Sequence, residues 1–176
     1  MTEKNVRRIP IVSLDDSRYS RLARLVVFPP SAKPGVMEFF PAIAGFNIGS
    51  GVDVDLSFLY SFNMEPSGGV DRHIRTEEMF VPLDGDLCLP LAPCEEAYGG
   101  AIPPRIENFV GVRICHGEAL ILSKNVWHNG GWPVDAKSGV RYIMVLSGHR
   151  EAHAGGGPID FVTATLPGQG TIIPDW

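Results

Sequence analysis

The sequence predicts an all-β protein, and two observations carry the prediction. First, 20 glycines and 15 prolines in 176 residues punctuate short apolar runs at nearly regular intervals. Both residue types interrupt regular structure and mark turns. Second, the runs between them have strand length, and several alternate or carry β-branched and aromatic residues. A jelly roll or barrel of this length can bury a full core, so one domain over 1–176 is expected.

Taken in chain order, residues 1–23 read as an N-terminal extension. It holds one helix candidate, 14–23, with Ser13 or Asp15 as cap and Tyr19, Leu22 and Ala23 as an apolar stripe. Pro29-Pro30 stops whatever precedes it. Strands are expected over 24–28, 42–48, 56–64, 78–83, 87–91, 108–113, 118–122, 141–146 and 159–165. Asp84-Gly85-Asp86 between two of them reads as a tight hairpin turn. Residues 92–105, rich in Pro, Gly and acid, read as a loop. So do 149–158, which contain Gly155-Gly156-Gly157 and are expected to be flexible.

Composition excludes several classes. Hydrophobic residues make 44% of the chain, so it is globular. The net charge is −5 and no basic block exists, which argues against nucleic-acid binding. The N-terminus lacks the apolar core of a signal peptide, and no apolar run reaches the roughly 18 residues of a spanning helix. A cytoplasmic protein without membrane contact is the expectation. Cys88, Cys94 and Cys115 have no metal-binding spacing and read as reduced, mostly buried thiols.

Chemistry concentrates in two blocks. The first is Asp71-x-His73-x4-Glu78-x6-Gly85; the second is Gly117-x5-Ser123-x-Asn125-x2-His128. Asp71 and His73 are two apart, so on a strand they share a face. Arg72 lies between them, points the other way, and reads as a solvated charge. Two neutral imidazoles and one carboxylate are strong donors to a divalent transition metal: Zn, Ni, Fe or Mn. His73, Glu78 and His128 are the candidate ligands. They leave a dication with a net charge of about +1, which favours a small anionic substrate. If Asp71 also binds, that charge and one open position are lost.

The two blocks resemble the two motifs of the cupins, whose fold is a jelly-roll barrel, the double-stranded β-helix. The resemblance implies a ligand set of histidines and a glutamate from the first motif and a histidine from the second. Asp71 stands where a first-motif histidine is usual. Ser123 and Asn125 replace the Pro and Gly of the second motif's turn, and Asn tolerates left-handed backbone there. Within the cupins, Asp71-Arg72-His73, Phe80-Val81-Pro82-Leu83-Asp84-Gly85, Gly117-Glu118 and Lys124-Asn125-Val126-Trp127-His128 resemble ureidoglycolate lyase. The likeness covers 71–128, the expected metal-site core.

That resemblance implies cleavage of ureidoglycolate to glyoxylate and urea, within purine and allantoin breakdown. A metal would chelate the carboxylate and hydroxyl oxygens and lower the hydroxyl pKa. Asp71 is then a candidate base if it does not bind metal, and Glu78 is the alternative. Lys124, at the predicted turn, is a further catalytic candidate. Lys124, Arg75 and Trp127 are candidates to hold substrate, with core packing as the competing role for Trp127. The rival readings are an Fe(II) oxygenase or other small-acid enzyme of this fold, and a non-enzymatic small-molecule binder. Exposed strand edges make a homodimer the expected assembly.

Overall fold

A computed structural model describes residues 6–27, 46, 54–62, 64–94, 104–147 and 161–176. The strands are β1 (Val6–Ile9), β2 (Ile11–Val12), β3 (Ala23–Val27), β4 (Val54–Ser61), β5 (Gly69–His73), β6 (Glu78–Pro82) and β7 (Leu87–Pro93). They continue as β8 (Val110–Ile114), β9 (Glu118–Leu122), β10 (Val126–His128), β11 (Trp132–Pro133), β12 (Val140–Ser147), β13 (Phe161–Thr165) and β14 (Thr171–Pro174). Two 3-10 turns, Ile106–Asn108 and Pro167–Gln169, are the only helical pieces among the described residues. No helix among them is long and apolar enough to cross a membrane.

The strands form a jelly roll. One sheet runs β3-β9-β6-β12-β4; the other runs β13-β5-β10-β7-β8-β2, with β11 also paired to β7. Consecutive strands β6 and β7 belong to different sheets, as do β9 and β10. This exchange makes two facing layers from one winding chain. A small parallel pair, β1 with β14, is formed by the chain's two ends.

Between the layers lies the main core, which includes Phe80, Leu87, Leu89, Leu120, Leu122 and Tyr142. Each such side chain, fully buried, contributes about 1.5–3 kcal/mol of transfer free energy. A second cluster contains Ile9, Phe109, Trp127, Trp132, Leu166 and Ile172. It includes residues of β1 and β14, so the chain ends supply apolar cover of their own.

Two sequence expectations are overturned. Residues 14–22 form successive turns, and β3 follows at Ala23. The side chains compete with a helix ladder: Ser13 Oγ accepts from Asp15 N at 3.2 Å, and Asp16 Oδ1 accepts from Arg18 N at 3.0 Å. Nor is Asp84-Gly85-Asp86 a hairpin. It carries the chain from β6 across to β7 in the opposite sheet, a corner held by Asp86 on Arg113 and on the N–H of His116. The alternating pattern of the two strands is the same in either geometry, so periodicity could not separate them.

The other expected strands are found with shifts of one to three residues at their ends, and 118–122 without any shift. The loop at 149–158 lies outside the described residues, as do most of the 92–105 loop and all of the expected strand at 42–48 except Phe46, which is not in a strand. The strands β1, β2, β5, β10, β11 and β14 were not among those expected.

One irregularity shapes the site. His128 pairs with Leu91, and Trp132 with Cys88. Residues 129–131 therefore face only Leu89 and Pro90, which is a β-bulge. The opposite edge of β7 explains why the break falls here. Gly111 donates its N–H to Pro10 O at 2.8 Å, toward β2 and away from its partner Pro90. Pro90 therefore directs its own backbone edge away from β8, to the bulge side. It carries no N–H, so the break strands no donor. Gly131 takes φ +76 in the bulge, and a Cβ there would lie 2.6 Å from Cys88 O.

Candidate metal centre

His73 is the last residue of β5, and His128 the last of β10, the strand beside it. Glu78 opens β6 in the facing sheet, on the inward side with Phe80 and Pro82. The three side chains therefore meet across the interior of the barrel. One donor atom from each lies within 4.8 Å of the others, and all three residues are buried. Glu78 Oε2 is 2.6 Å from His128 Nε2 and 3.4 Å from His73 Nε2. The imidazole rings stack with centroids 5.9 Å apart.

The turn before β10 sets this convergence. Asn125 adopts φ 62, and its N–H donates to His73 O at 2.7 Å. The second motif is thereby tied to the end of the first. At His128, Nδ1 is 2.9 Å from Val126 O. A carbonyl can only accept, so Nδ1 carries the proton and Nε2 is the atom turned to Glu78. Burial alone disfavours the imidazolium at His128. The Glu78 carboxylate outweighs it by charge and hydrogen bond, and the pKa is held above its ordinary value.

The donor chemistry fits a divalent transition ion. Two imidazoles and a carboxylate are the right types, and the backbone bond at His128 Nδ1 is the outer contact that orients a ligating histidine. His73, Glu78 and His128 would hold the ion. Asp71 is outside the convergent trio but belongs to the same cavity. It pairs with His128 in register, on the same face of β5 as His73.

That cavity has a volume of about 240 Å3. Besides Asp71 and the three candidate ligands, it is walled by Leu59, Phe80, Met144, Leu146 and the bulge residues Asn129 and Gly130. Gly130 O accepts from Tyr142 Oη at 2.7 Å, and Asn129 Oδ1 accepts from Gly131 N at 2.9 Å, so the bulge is held from two sides. Burial first, then the nearby Glu78 charge, push the Tyr142 phenol up to about 12.

Other candidates from the sequence fall elsewhere. Lys124 is exposed in the turn before β10, and Arg75 is exposed after β5. Neither is among the described residues of the cavity wall, and neither is Trp127. Trp127 is fully buried in the second cluster, on the face of β10 opposite His128. Arg72 does point away from the cavity, but it is not solvated. It is 0% exposed, with its guanidinium 5.0 Å from the Trp127 ring centroid and Nη1 2.6 Å from Cys94 Sγ. The expectation of a solvated Arg72 fails because a second apolar cluster backs this part of the sheet.

Sequence reasoning missed the apolar wall and the bulge. Leu59 belongs to β4, and Met144 and Leu146 to β12. In β4 the apolar alternation runs through Val54, Leu56, Phe58 and Tyr60, which are exposed, so periodicity points away from Leu59. In β12 nothing local says that the face of Met144 and Leu146 meets the two motifs. The three cysteines are free thiols; Cys88 is buried, and burial pushes it up to about 12.

Fold and site together define a jelly-roll barrel with a buried two-histidine, one-carboxylate cavity. No protein-family model matches the chain, and no curated protein matches it. Among solved structures, a dTDP sugar isomerase from Desulfovibrio desulfuricans G20 is 14% identical. The match covers 82% of this chain and 83% of that one, with a TM-score of 0.48. A mutant of the 3,4-ketoisomerase QdtA from Thermoanaerobacterium thermosaccharolyticum, in complex with TDP-4-keto-6-deoxyglucose, is 13% identical. That match covers 80% of this chain and 86% of that one, with a TM-score of 0.46. At this level of likeness the chemistry has to be read from the cavity itself.

Proposed function

We propose that this chain is a single-domain, metal-dependent lyase of the ureidoglycolate lyase type, cleaving ureidoglycolate to glyoxylate and urea. The observation that carries the reading is the convergence of buried His73, Glu78 and His128 on a cavity that Asp71 also lines. A bound Zn, Ni, Fe or Mn ion would supply Lewis acidity toward the substrate's carboxylate and hydroxyl oxygens.

The chain's own residues then have separate tasks. Asp71 takes the hydroxyl proton, because it lines the cavity while Glu78 would be committed to the ion with the two histidines. The carbonyl of glyoxylate forms, the C–N bond breaks with its electron pair on nitrogen, and that nitrogen takes the proton back from Asp71 to give urea. No Lys or Arg lines the cavity among its described residues, so an ion held by His73, Glu78 and His128 would offset the substrate carboxylate. Phe80, Leu59 and Met144 exclude water and strengthen the electrostatics inside.

The test begins with elemental analysis of protein purified without added metal. Glyoxylate and urea release from ureidoglycolate is then followed with an oxygen electrode in the same cell. Release without oxygen uptake supports the lyase. No release, with turnover of another 2-hydroxy or 2-oxo acid, refutes it.

The donor set also favours one second reading. Two histidines and one carboxylate are the ligands of non-haem Fe(II) oxygenases. Bound iron with oxygen uptake would select that reading, and protein that takes up no metal would point to a non-enzymatic binder. The assembly expected in either case is a homodimer in the cytoplasm.

A further inference from the structure

β4 is an edge strand: among the described residues it pairs only with β12. Its side chains alternate strictly between half-buried and exposed. In a strand at the rim of a sheet, the exposed set is normally polar or charged. Here it is Val54, Leu56, Phe58 and Tyr60, continued by Phe62 just past the strand. Their exposures are 44, 63, 75, 57 and 63%. Tyr60 and Phe62 stack with ring centroids 5.7 Å apart. Leu83, 40% exposed, adds to the patch across a hollow of about 520 Å3 that Phe58, Tyr60 and Arg141 also line.

We propose that this outer face of β4 is the contact between two copies of the chain, packed across a two-fold axis beside Phe58. This deepens the homodimer reading above by naming its surface. Three arguments select a second copy as the occupant. The first is area. At about 150–250 Å2 per large side chain, the exposed parts of these six residues come to roughly 500–850 Å2 per copy. Full burial in the pair would cover about 1,000–1,700 Å2, which overlaps the ~1,200–2,000 Å2 range of stable interfaces.

The second argument is self-complementarity. In a two-fold contact, residue i meets j while j meets i. With Phe58 at the centre, Leu56 meets the partner's Tyr60, and Val54 meets the partner's Phe62. Small residues lie on one side of the centre and aromatic ones on the other, so each half fills the space the other leaves. The hollow beside Tyr60 then receives the partner's Leu56.

The third is charge. No charged side chain interrupts the stripe. Among the described residues Arg141, the cross-strand neighbour of Tyr60, borders the stripe on one side and is neutralised by Asp84. Apolar centre and charged rim is the anatomy of a protein interface.

The experiment is sedimentation velocity of the full chain at micromolar concentration, with Phe58→Asp and Leu56→Asp beside the wild type and circular dichroism to check folding. The wild type is expected to sediment as a dimer and both variants as folded monomers. A Phe58→Cys variant, mildly oxidised, should yield a peptide linked through position 58 to its own copy. That readout needs no charge insertion, so it stands even if an Asp variant fails to fold. A monomeric wild type would overturn the dimer itself. A dimer that survives both Asp substitutions and gives no 58–58 link would overturn only this face. Neither outcome touches the lyase reading, which the glyoxylate assay tests separately.

Discussion

Asn125 donates its backbone N–H to the carbonyl of His73 at 2.7 Å while holding φ at 62. One left-handed residue thus ties the end of the strand carrying the first histidine to the start of the strand carrying the second. Asn is among the few residues that adopt this conformation at low cost. Asn125→Gly and Asn125→Val both lose the 3.4 Å contact of Oδ1 with the buried Arg72 Nη1, so their difference isolates the backbone. Val should be less stable than Gly by about 1–2 kcal/mol, the usual penalty for left-handed backbone with a Cβ. Urea unfolding of the two variants measures the difference. A Val variant as stable as the Gly variant would show that the turn does not constrain the site.

His128→Ala removes one of the three candidate ligands and leaves the apolar core intact. Metal affinity should fall by more than about 100-fold, since losing even an outer contact of a metal site costs roughly 10–100-fold. The fold should persist, because none of the large core residues depends on the ion. Metal titration and circular dichroism read the two effects. An unfolded variant at room temperature would make the site structural instead.

Asp71→Asn separates two roles that the sequence leaves open. If Asp71 is the base, the variant keeps its metal and substrate affinity while kcat falls by about 10²–10⁴. Metal occupancy that falls together with activity would instead make Asp71 a ligand.

Tyr142→Phe removes the hydroxyl that holds Gly130 of the bulge at 2.7 Å. At neutral pH the loss should be about 0.5–1.5 kcal/mol, the net worth of a typical hydrogen bond. At alkaline pH the order should narrow. The phenol has an ordinary value of 10.0 and is pushed up to about 12 in the fold. Between those limits the unfolded chain releases this proton and the folded one keeps it, so wild-type stability falls as pH rises. The Phe variant lacks that contribution. Unfolding midpoints at pH 8 and above pH 10 check it, and parallel decline of the two proteins would contradict it.

The chain itself made the all-β class legible, because Gly and Pro set turn spacing locally and strand alternation is written in neighbouring residues. The same locality showed that Asp71 and His73 would share a face if extended, and let Asn125 be accepted in a left-handed turn. It misled at 14–23, where Ser and Asp side chains take the backbone bonds that an apolar stripe suggested a helix would use. It missed β5 because Gly69-Val70-Asp71-Arg72-His73 is polar by composition, although most of it is buried.

Everything that depends on pairing across the molecule was decided by the tertiary structure. That β6 and β7 part into different sheets, that Glu78 faces two histidines from the opposite layer, and that 129–131 bulge against Pro90 are long-range outcomes. They arise from packing two layers around one core, and no residue's own neighbours encode them. The same holds for Arg72. Strand alternation aimed it away from the cavity, but only the apolar cluster around Trp127 determined that the space behind the strand is protein and not water.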